Sequence, residues 1–347
     1  MTADSLRKSI DYLNGPSGVI GPLFLALCRA EDQVSRLDER ARLSDFADGW
    51  RARADVRAVI GGMWAAGELV HPEDLLLHAS DADTRVPDPS TQRAWAALRA
   101  RRKAWRGGDE LLSWRGVAWL SGRIADAPPP AERPSARPPS PSVSEDLWAA
   151  LEAFFARLGQ GVSDGARAGV EDCLALLDFG EEVPALLLAA ALLEAWRLVD
   201  PLPTQRFAGS VLAGLFLRSR RRFGAALFPV EVAMRRRRMS QHLEWAPLAD
   251  RLVHWLELFA LAADLELEEL VRLGHQKARV DRIAGLARRH SKAGALAALL
   301  VEYPVVTSEL VSNALGVTPQ ASLQLLKRFS GTVQELTGRS HYRVWRL

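Results

Sequence analysis

The sequence predicts an all-α fold, a helical bundle carrying a C-terminal winged helix-turn-helix with a small β-hairpin wing. Three observations predict it. Leu and Ala dominate a 347-residue chain that is 48% hydrophobic and 25% charged, and β-branched runs are scarce before the last residues, which favours helix over sheet. Apolar residues recur at helical spacing from Ser5 to about Trp119 and again from Glu145 onward. At the C-terminus, three helical patterns in succession precede a short hairpin pattern. The length accommodates two or three domains and a sizeable core. The expected division is an N-terminal helical region over 1–124, a Pro-rich linker over 125–144, a helical core over 145–275 and the winged helix-turn-helix over 276–347.

In chain order, Pro22 to Leu37 and Asp48 to Gly67 read as amphipathic helices. Glu68 to Asp74 is a loop entering a further helix, with Pro72 at an early turn position. Asp81-Ala82-Asp83-Thr84 has the form of a phosphatase nucleophile motif, but that chemistry needs a buried strand before it. The preceding Leu75 to Ser80 ends a helical pattern instead, so a polar turn is expected. His71 and His78 lack the short spacing that sets two metal ligands on one helix face, so no metal site is expected. Thr91 to Arg106 is strongly basic through Arg93, Arg99, Arg101, Arg102, Lys103 and Arg106. Two readings of it stay open: a DNA contact, or a solvated outer face with alanines and tryptophans turned inward.

Seven prolines between Pro128 and Pro141 deny the linker helix or sheet. Helices are then expected at Glu145–Leu158, Ala166–Leu177, Pro184–Val199, Gly209–Arg220 and Pro247–Ala263. Two arginine clusters, one from Arg218 to Arg222 and one from Arg235 to Arg238, are either phosphate-binding or solvated helix ends. Pro184 to Val199 is the longest apolar run. It contains Glu194 and Arg197 and falls short of the roughly 20 residues of a bilayer span, so a buried core helix is expected. Val19 to Cys28 is broken by Gly21-Pro22 and follows Asp11, unlike a signal peptide. Cys28 and Cys173 lie in apolar helical stretches and read as buried reduced thiols of a cytoplasmic protein. No membrane association and no cofactor motif is read.

The C-terminal motif is the most specific part. Ala293, Leu296, Leu299 and Leu300 form the apolar face of its first helix, which Tyr303-Pro304 closes. Thr307 or Ser308 caps the second helix, whose buried face is Leu310, Val311, Ala314 and Leu315, and Gly316 supplies the left-handed turn. Thr318 caps the third, with Pro319 at its first position. Ser322, Leu325 and Leu326 are expected inward, leaving Gln320, Ala321, Leu323, Gln324, Lys327 and Arg328 on the other faces. Gln320 and Gln324 stand one turn apart, as on a recognition helix, and glutamine matches adenine. Thr332–Leu336 and His341–Trp345 are the wing strands, with Arg339, His341, Arg343 and Arg346 placed to reach phosphates or a groove. From Gln276 onward eleven Lys/Arg face four Asp/Glu, a balance of +7 in a chain whose total is only +3. The positive field is therefore concentrated on the motif, as binding to double-stranded DNA requires.

From Ala185 onward the order of a long apolar helix, a Pro-containing loop, a Leu-rich helix ending in arginines, a Phe-Pro segment and a Trp/Leu-rich helix resembles Fic-family proteins. The C-terminal Gly-Val-Thr motif ending in Leu-Thr-Gly-Arg-Ser-His-Tyr-Arg-Val-Trp fits the same pattern. Trp64 to Leu69 and Asp83 to Pro87 look like a branch of Fic-like helix-turn-helix proteins of unknown function from plant-associated alphaproteobacteria. Fic enzymes transfer nucleotide phosphates with a His-Pro-Phe-x-Asp-Gly-Asn-Gly-Arg loop. The stretch matching it here is Asp200 to Ala208, in which only Pro201 survives. Asp200 stands at the histidine position, Thr204 at the metal acid, Gln205-Arg206-Phe207 at Gly-Asn-Gly, and Ala208 at the arginine. The Ser-x-x-x-Glu-Gly inhibitory pattern is also missing, since Ala66 precedes Gly67. The resemblance thus implies a Fic-like scaffold without catalytic residues.

The sequence therefore points to a DNA-binding protein, a transcriptional regulator acting as a homodimer. Its expected DNA-contacting residues are Thr318, Gln320, Ala321, Gln324, Lys327, Arg328, Arg339, His341 and Arg343. The alternatives are a divergent nucleotidyl or phosphoryl transferase, with Asp200 as a weak base, and a non-catalytic module whose helical block binds a protein partner or small effector.

Overall fold

The computed structural model describes residues 20–82, 85–128, 147–161, 165–180, 183–237, 241–287, 291–337 and 343–347. Most of the expected Pro-rich linker, and Asp83-Thr84 of the Asp-x-Asp-Thr turn, lie outside these residues. The N-terminal half contributes α1 (Ile20–Arg42), α2 (Ala47–Ala65), α3 (Pro72–Ala79), α4 (Pro89–Arg106) and α5 (Trp114–Leu120). After the linker come α6 (Leu147–Gln160), α7 (Ala166–Leu174), α8 (Ala185–Val199), α9 (Phe207–Ser219), the single turns α10 (Glu231–Met234) and α11 (Gln241–Glu244), and α12 (Leu248–Gly285). The C-terminal module is α13 (Ala293–Glu302), β1 (Val306–Thr307), α14 (Ser308–Leu315), α15 (Pro319–Lys327), β2 (Gln334–Glu335) and β3 (Val344–Arg346). The architecture is all-α with a C-terminal helix-turn-helix.

α8 is the centre of the helical body. Every residue from Ala185 to Trp196 is buried, which a 3.6-residue period permits only when neighbours cover all sides. α6, α7, α9 and α12 surround it. α9 comes so close that a Cβ on Gly209 would lie 2.5 Å from the Trp196 ring, so only glycine fits there. The one buried charge of α8, Glu194, accepts hydrogen bonds from Arg197 and from the Trp255 indole at 3.0 Å. α1 lays Leu23, Ala26, Ala30, Val34, Leu37 and Ala41 against this body. Cys28 falls between those positions and is exposed, whereas Cys173 is buried. The expectation of two buried thiols is corrected for Cys28.

The basic helix α4 turns Ala94, Ala97, Ala100 and Ala104 inward, as the solvated-face reading expects, but it buries one arginine with them. Arg101 is 1% exposed and donates to Asp55 at 2.8 Å, to the Leu227 carbonyl at 2.7 Å and to Glu231 at 3.3 Å. Two carboxylates hold its guanidinium charged in spite of burial. On the outer side, Arg99 and Arg102 lie over the Trp95 ring and Lys103 over Trp119, while Arg93 pairs with Glu68 at 2.5 Å. The helix is neither wholly solvated nor a free cationic surface, because its middle arginine locks α2 and α10 together.

α12 is longer than its pattern suggested. Its 38 residues span about 57 Å at 1.5 Å per residue. Leu252, Leu256, Phe259, Ala263, Leu270 and Leu273 join the body core, and Val280 joins the C-terminal core with Ile283 and Ala284 packed against it. The 275/276 division read from the sequence thus falls inside one uninterrupted helix. No helix among the described residues is long and apolar enough to cross a membrane.

Candidate nucleic-acid interface

The helix-turn-helix is built by local chemistry. The Thr307 hydroxyl accepts from the Leu310 amide at 3.0 Å to start α14, and Gly316 ends it at φ 63°, ψ 43°. That left-handed conformation costs glycine nothing. The Thr318 hydroxyl then accepts from the Ala321 amide at 3.2 Å, and Pro319 occupies the first position of α15, where no donor is needed. Inside α15, Ser322 is buried with its hydroxyl donated to the Pro319 carbonyl at 2.6 Å, and Leu326 enters the core.

The opposite face of α15 is open. Thr318, Gln320, Gln324, Lys327 and Arg328 are exposed, and Ala321 is half-buried. Leu323, expected on the outer faces, is half-buried and packs against the C-terminal core beside Leu325. Among the described residues Lys327 makes no ion pair, and Arg328 reaches only the Ser291 hydroxyl at 3.4 Å. Side chains left uncommitted inside the protein are those a groove can engage.

The wing cations differ. Arg343 donates through both guanidinium arms to the Glu335 carboxylate, 2.7 Å at Nε, and stacks over Trp345. This pairing raises the Arg343 pKa and lowers that of Glu335. Arg346 donates to Gln334 at 2.9 Å and pairs with Glu73 of α3 at 3.2 Å. Arg339 and His341 lie outside the described residues.

Two features were not read from the sequence. The wing is three-stranded, in the order β1-β3-β2, with Val306 opposite Trp345 and Gln334 opposite Arg346, all antiparallel. Val305-Val306-Thr307 is β-branched, but two paired residues are too few to show a period. The second feature is Arg53 on α2. Its guanidinium donates to the carbonyls of Leu300 (2.9 Å), Val301 (2.6 Å) and Tyr303 (2.8 Å), closing the C-terminus of α13. Burial pushes the Arg53 pKa down to about 10. Beside it a Cβ on Gly49 would lie 2.1 Å from the Val301 oxygen, so α2 and α13 meet backbone to backbone. The module is thereby fixed to the body, and a partner that is a main-chain carbonyl some 250 positions away leaves no mark in the sequence.

The loop Asp200–Ala208 follows α8. Asp200 caps α8 in the left-handed region (φ 42°, ψ 53°). Its carboxylate accepts from Arg206 at 2.7 Å, which raises the pKa of that arginine. Gln205 donates to the Ser121 carbonyl at 2.8 Å, and Leu202 is fully buried. Each of these side chains is turned to internal partners.

Comparison with known proteins finds two family models on the chain. A family model described as a protein of unknown function, DUF1612, matches residues 169–285, and one described as an HTH DNA binding domain matches residues 293–347. The chain is 27% identical over 363 residues to "Uncharacterized protein y4cF" of Sinorhizobium fredii, covering 90% of this chain and 93% of that protein. Among solved structures it is similar to a Fic family protein from Desulfovibrio desulfuricans G20, at a TM-score of 0.46 and 14% identity over 94% of this chain and 95% of that one. The helices and three-stranded wing of the C-terminus therefore coincide with a stretch that matches a DNA-binding helix-turn-helix model.

Proposed function

We propose that the protein reads duplex DNA through α15 and acts as a transcriptional regulator, with the helical body as a non-catalytic, Fic-like support. The observation that carries this reading is the open face of α15. Gln320 and Gln324 stand one turn apart with Lys327 and Arg328 beyond them, on a helix fixed by its own cap and core. Glutamine bonds the N6 and N7 edge of adenine, and lysine and arginine neutralise flanking phosphates. Thr318 and Ala321, at the N-terminal end of the same helix, complete the face. In this reading the wing tip, Arg339 and His341 with Arg343 at its root, reaches the backbone or minor groove. One small module buries little surface, so a homodimer on a two-fold site is part of the proposal. The internal pairing of Asp200 supports a body that performs no nucleotide transfer. Selection of bound fragments from a random duplex pool, at low and near-physiological salt, tests the reading. An enriched palindromic motif at both salts is expected. Binding without enrichment, lost as salt rises, would reduce it to a non-specific polycation effect.

A further inference from the structure

We propose that the C-terminal part of α12 is a second DNA-contacting surface, in which Arg279 and Arg282 hold the phosphate backbone beyond the end of α15. This rests on the DNA-binding reading above and extends it to residues outside the helix-turn-helix.

α12 continues past the body and packs on the C-terminal module through Val280, Ile283 and Ala284. This fixes its rotation. At 3.6 residues per turn, Arg272, His275, Arg279 and Arg282 then fall on one flank within an arc of about 80°. Lys277 and Asp281 fall on the other. The two flanks are electrostatically unlike. Lys277 is closed by Asp281 at 2.7 Å and by Asp45 at 3.2 Å. Arg279 and Arg282 are exposed, and among the described residues neither has an ion-pair partner. Arg272, further back toward the body, is already taken by Glu269.

The open flank is the one beside the reading helix. Arg279 donates to the Gly331 carbonyl at 3.4 Å, in the turn that directly follows α15. Arg328, at the end of α15, donates to the Ser291 hydroxyl at 3.4 Å, in the segment leading from α12 into α13. Arg279 thus lies against the turn that ends α15, and Lys327, Arg328, Arg279 and Arg282 are four exposed cations without an ion-pair partner among the described residues. Arg279 and Arg282 are separated by three residues, about 4.5 Å of helix rise, near enough for both long side chains to reach neighbouring phosphates of one strand. A guanidinium presents paired donors to a phosphate, which suits these two positions to a DNA backbone entering or leaving the groove read by α15.

The test compares the full-length parent with Arg279→Gln/Arg282→Gln, Arg279→Lys/Arg282→Lys and Lys277→Gln on the duplex selected by the parent. The readouts are the slope of log Kd against log salt concentration and the hydroxyl-radical protection pattern. The glutamine pair is expected to lower the slope by about 2, since each phosphate contact contributes about 0.9. It should also erase protection at phosphates flanking the α15 groove while leaving base preference intact. The lysine pair should retain most of the slope, and Lys277→Gln should behave as the parent. An unchanged slope and footprint in the glutamine pair would overturn the proposal while leaving α15 as the reading helix. So would an equal loss in Lys277→Gln, which would show a net-charge effect. A parent that binds no duplex would overturn the DNA reading and this surface together.

Discussion

Two loops of this molecule begin alike and end differently. Gly316 and Asp200 both close a helix in the left-handed region, and both lead within a few residues into another helix. After Gly316, Gln320, Gln324, Lys327 and Arg328 of α15 and its cap are exposed, and among the described residues no carboxylate pairs with Lys327 or Arg328. After Asp200, the carboxylate goes to Arg206, the Gln205 amide goes to Ser121, and Leu202 is buried. A segment that satisfies itself has little left for a substrate, and one that satisfies only its backbone remains available to an outside partner. Availability of side chains, rather than the turn that presents them, separates the candidate interface from the self-paired loop.

The comparison can be strained first where internal pairing is most complete. Arg101→Ala would leave Asp55 and Glu231 buried without their cation, and the denaturant midpoint should fall by an amount equivalent to about 3–5 kcal/mol. A change within 0.5 kcal/mol, as at ordinary surface positions, would mean that the body does not depend on this pairing. Arg53→Leu removes three donors from the end of α13. A loss of about 2–3 kcal/mol is expected, with amide exchange in α13 and α14 rising ahead of that in α8. Uniform acceleration across the chain would argue against Arg53 as the tie between module and body.

On the open side, Gln324→Ala should leave stability unchanged and cost about 1–3 kcal/mol of base discrimination at one position of the site, measured by competition between single-base variants. An equal loss on every sequence would assign Gln324 to the backbone instead. pH provides a test within the body. His254 is buried, with no hydrogen-bond partner on either ring nitrogen among the described residues, and burial together with Arg237 pushes its pKa down to about 4, against an opposing pull from Glu194. The folded state therefore favours the neutral ring. Its contribution is fully present above about pH 6.5 and is lost as pH falls toward 4, on the order of 1–2 kcal/mol after solvent screening. Parent and His254→Leu should keep a constant difference in thermal midpoint above pH 6.5, and the parent should fall relative to the variant as pH drops toward 4. Parallel curves would contradict this. The smallest effect is expected at Asp200→Ala, within about 1 kcal/mol because the Arg206 pair is partly exposed. Radiolabel transfer from ATP, GTP or CDP-choline that disappears in this variant would instead make the loop catalytic.

What could be read in advance was what depends on near neighbours. Thr307, Gly316, Thr318 and Pro319 act on backbone atoms within a few residues, so the helix-turn-helix and the polar face of α15 follow from spacing alone. The all-α body was legible in the same way, from apolar periodicity. The burial of Arg101 was not, because its partners Asp55 and Glu231 come from two distant helices and an arginine among arginines gives no sign of which one turns inward. Arg53 and β1 were missed for the same reason, since each is defined by long-range contacts to the backbone. Arg343, read as a DNA contact, is held by Glu335 eight residues before it. Net charge counts both residues but cannot show that they meet.

The most direct test of the central claim is fragment selection from one random duplex pool by the parent and by Gln320→Ala/Gln324→Ala, run side by side. The parent should enrich a two-fold motif, and the double variant should still retain duplex but enrich that motif with the specified bases lost at the positions facing α15. An identical motif from both proteins would contradict the claim that the open face of α15 reads the sequence.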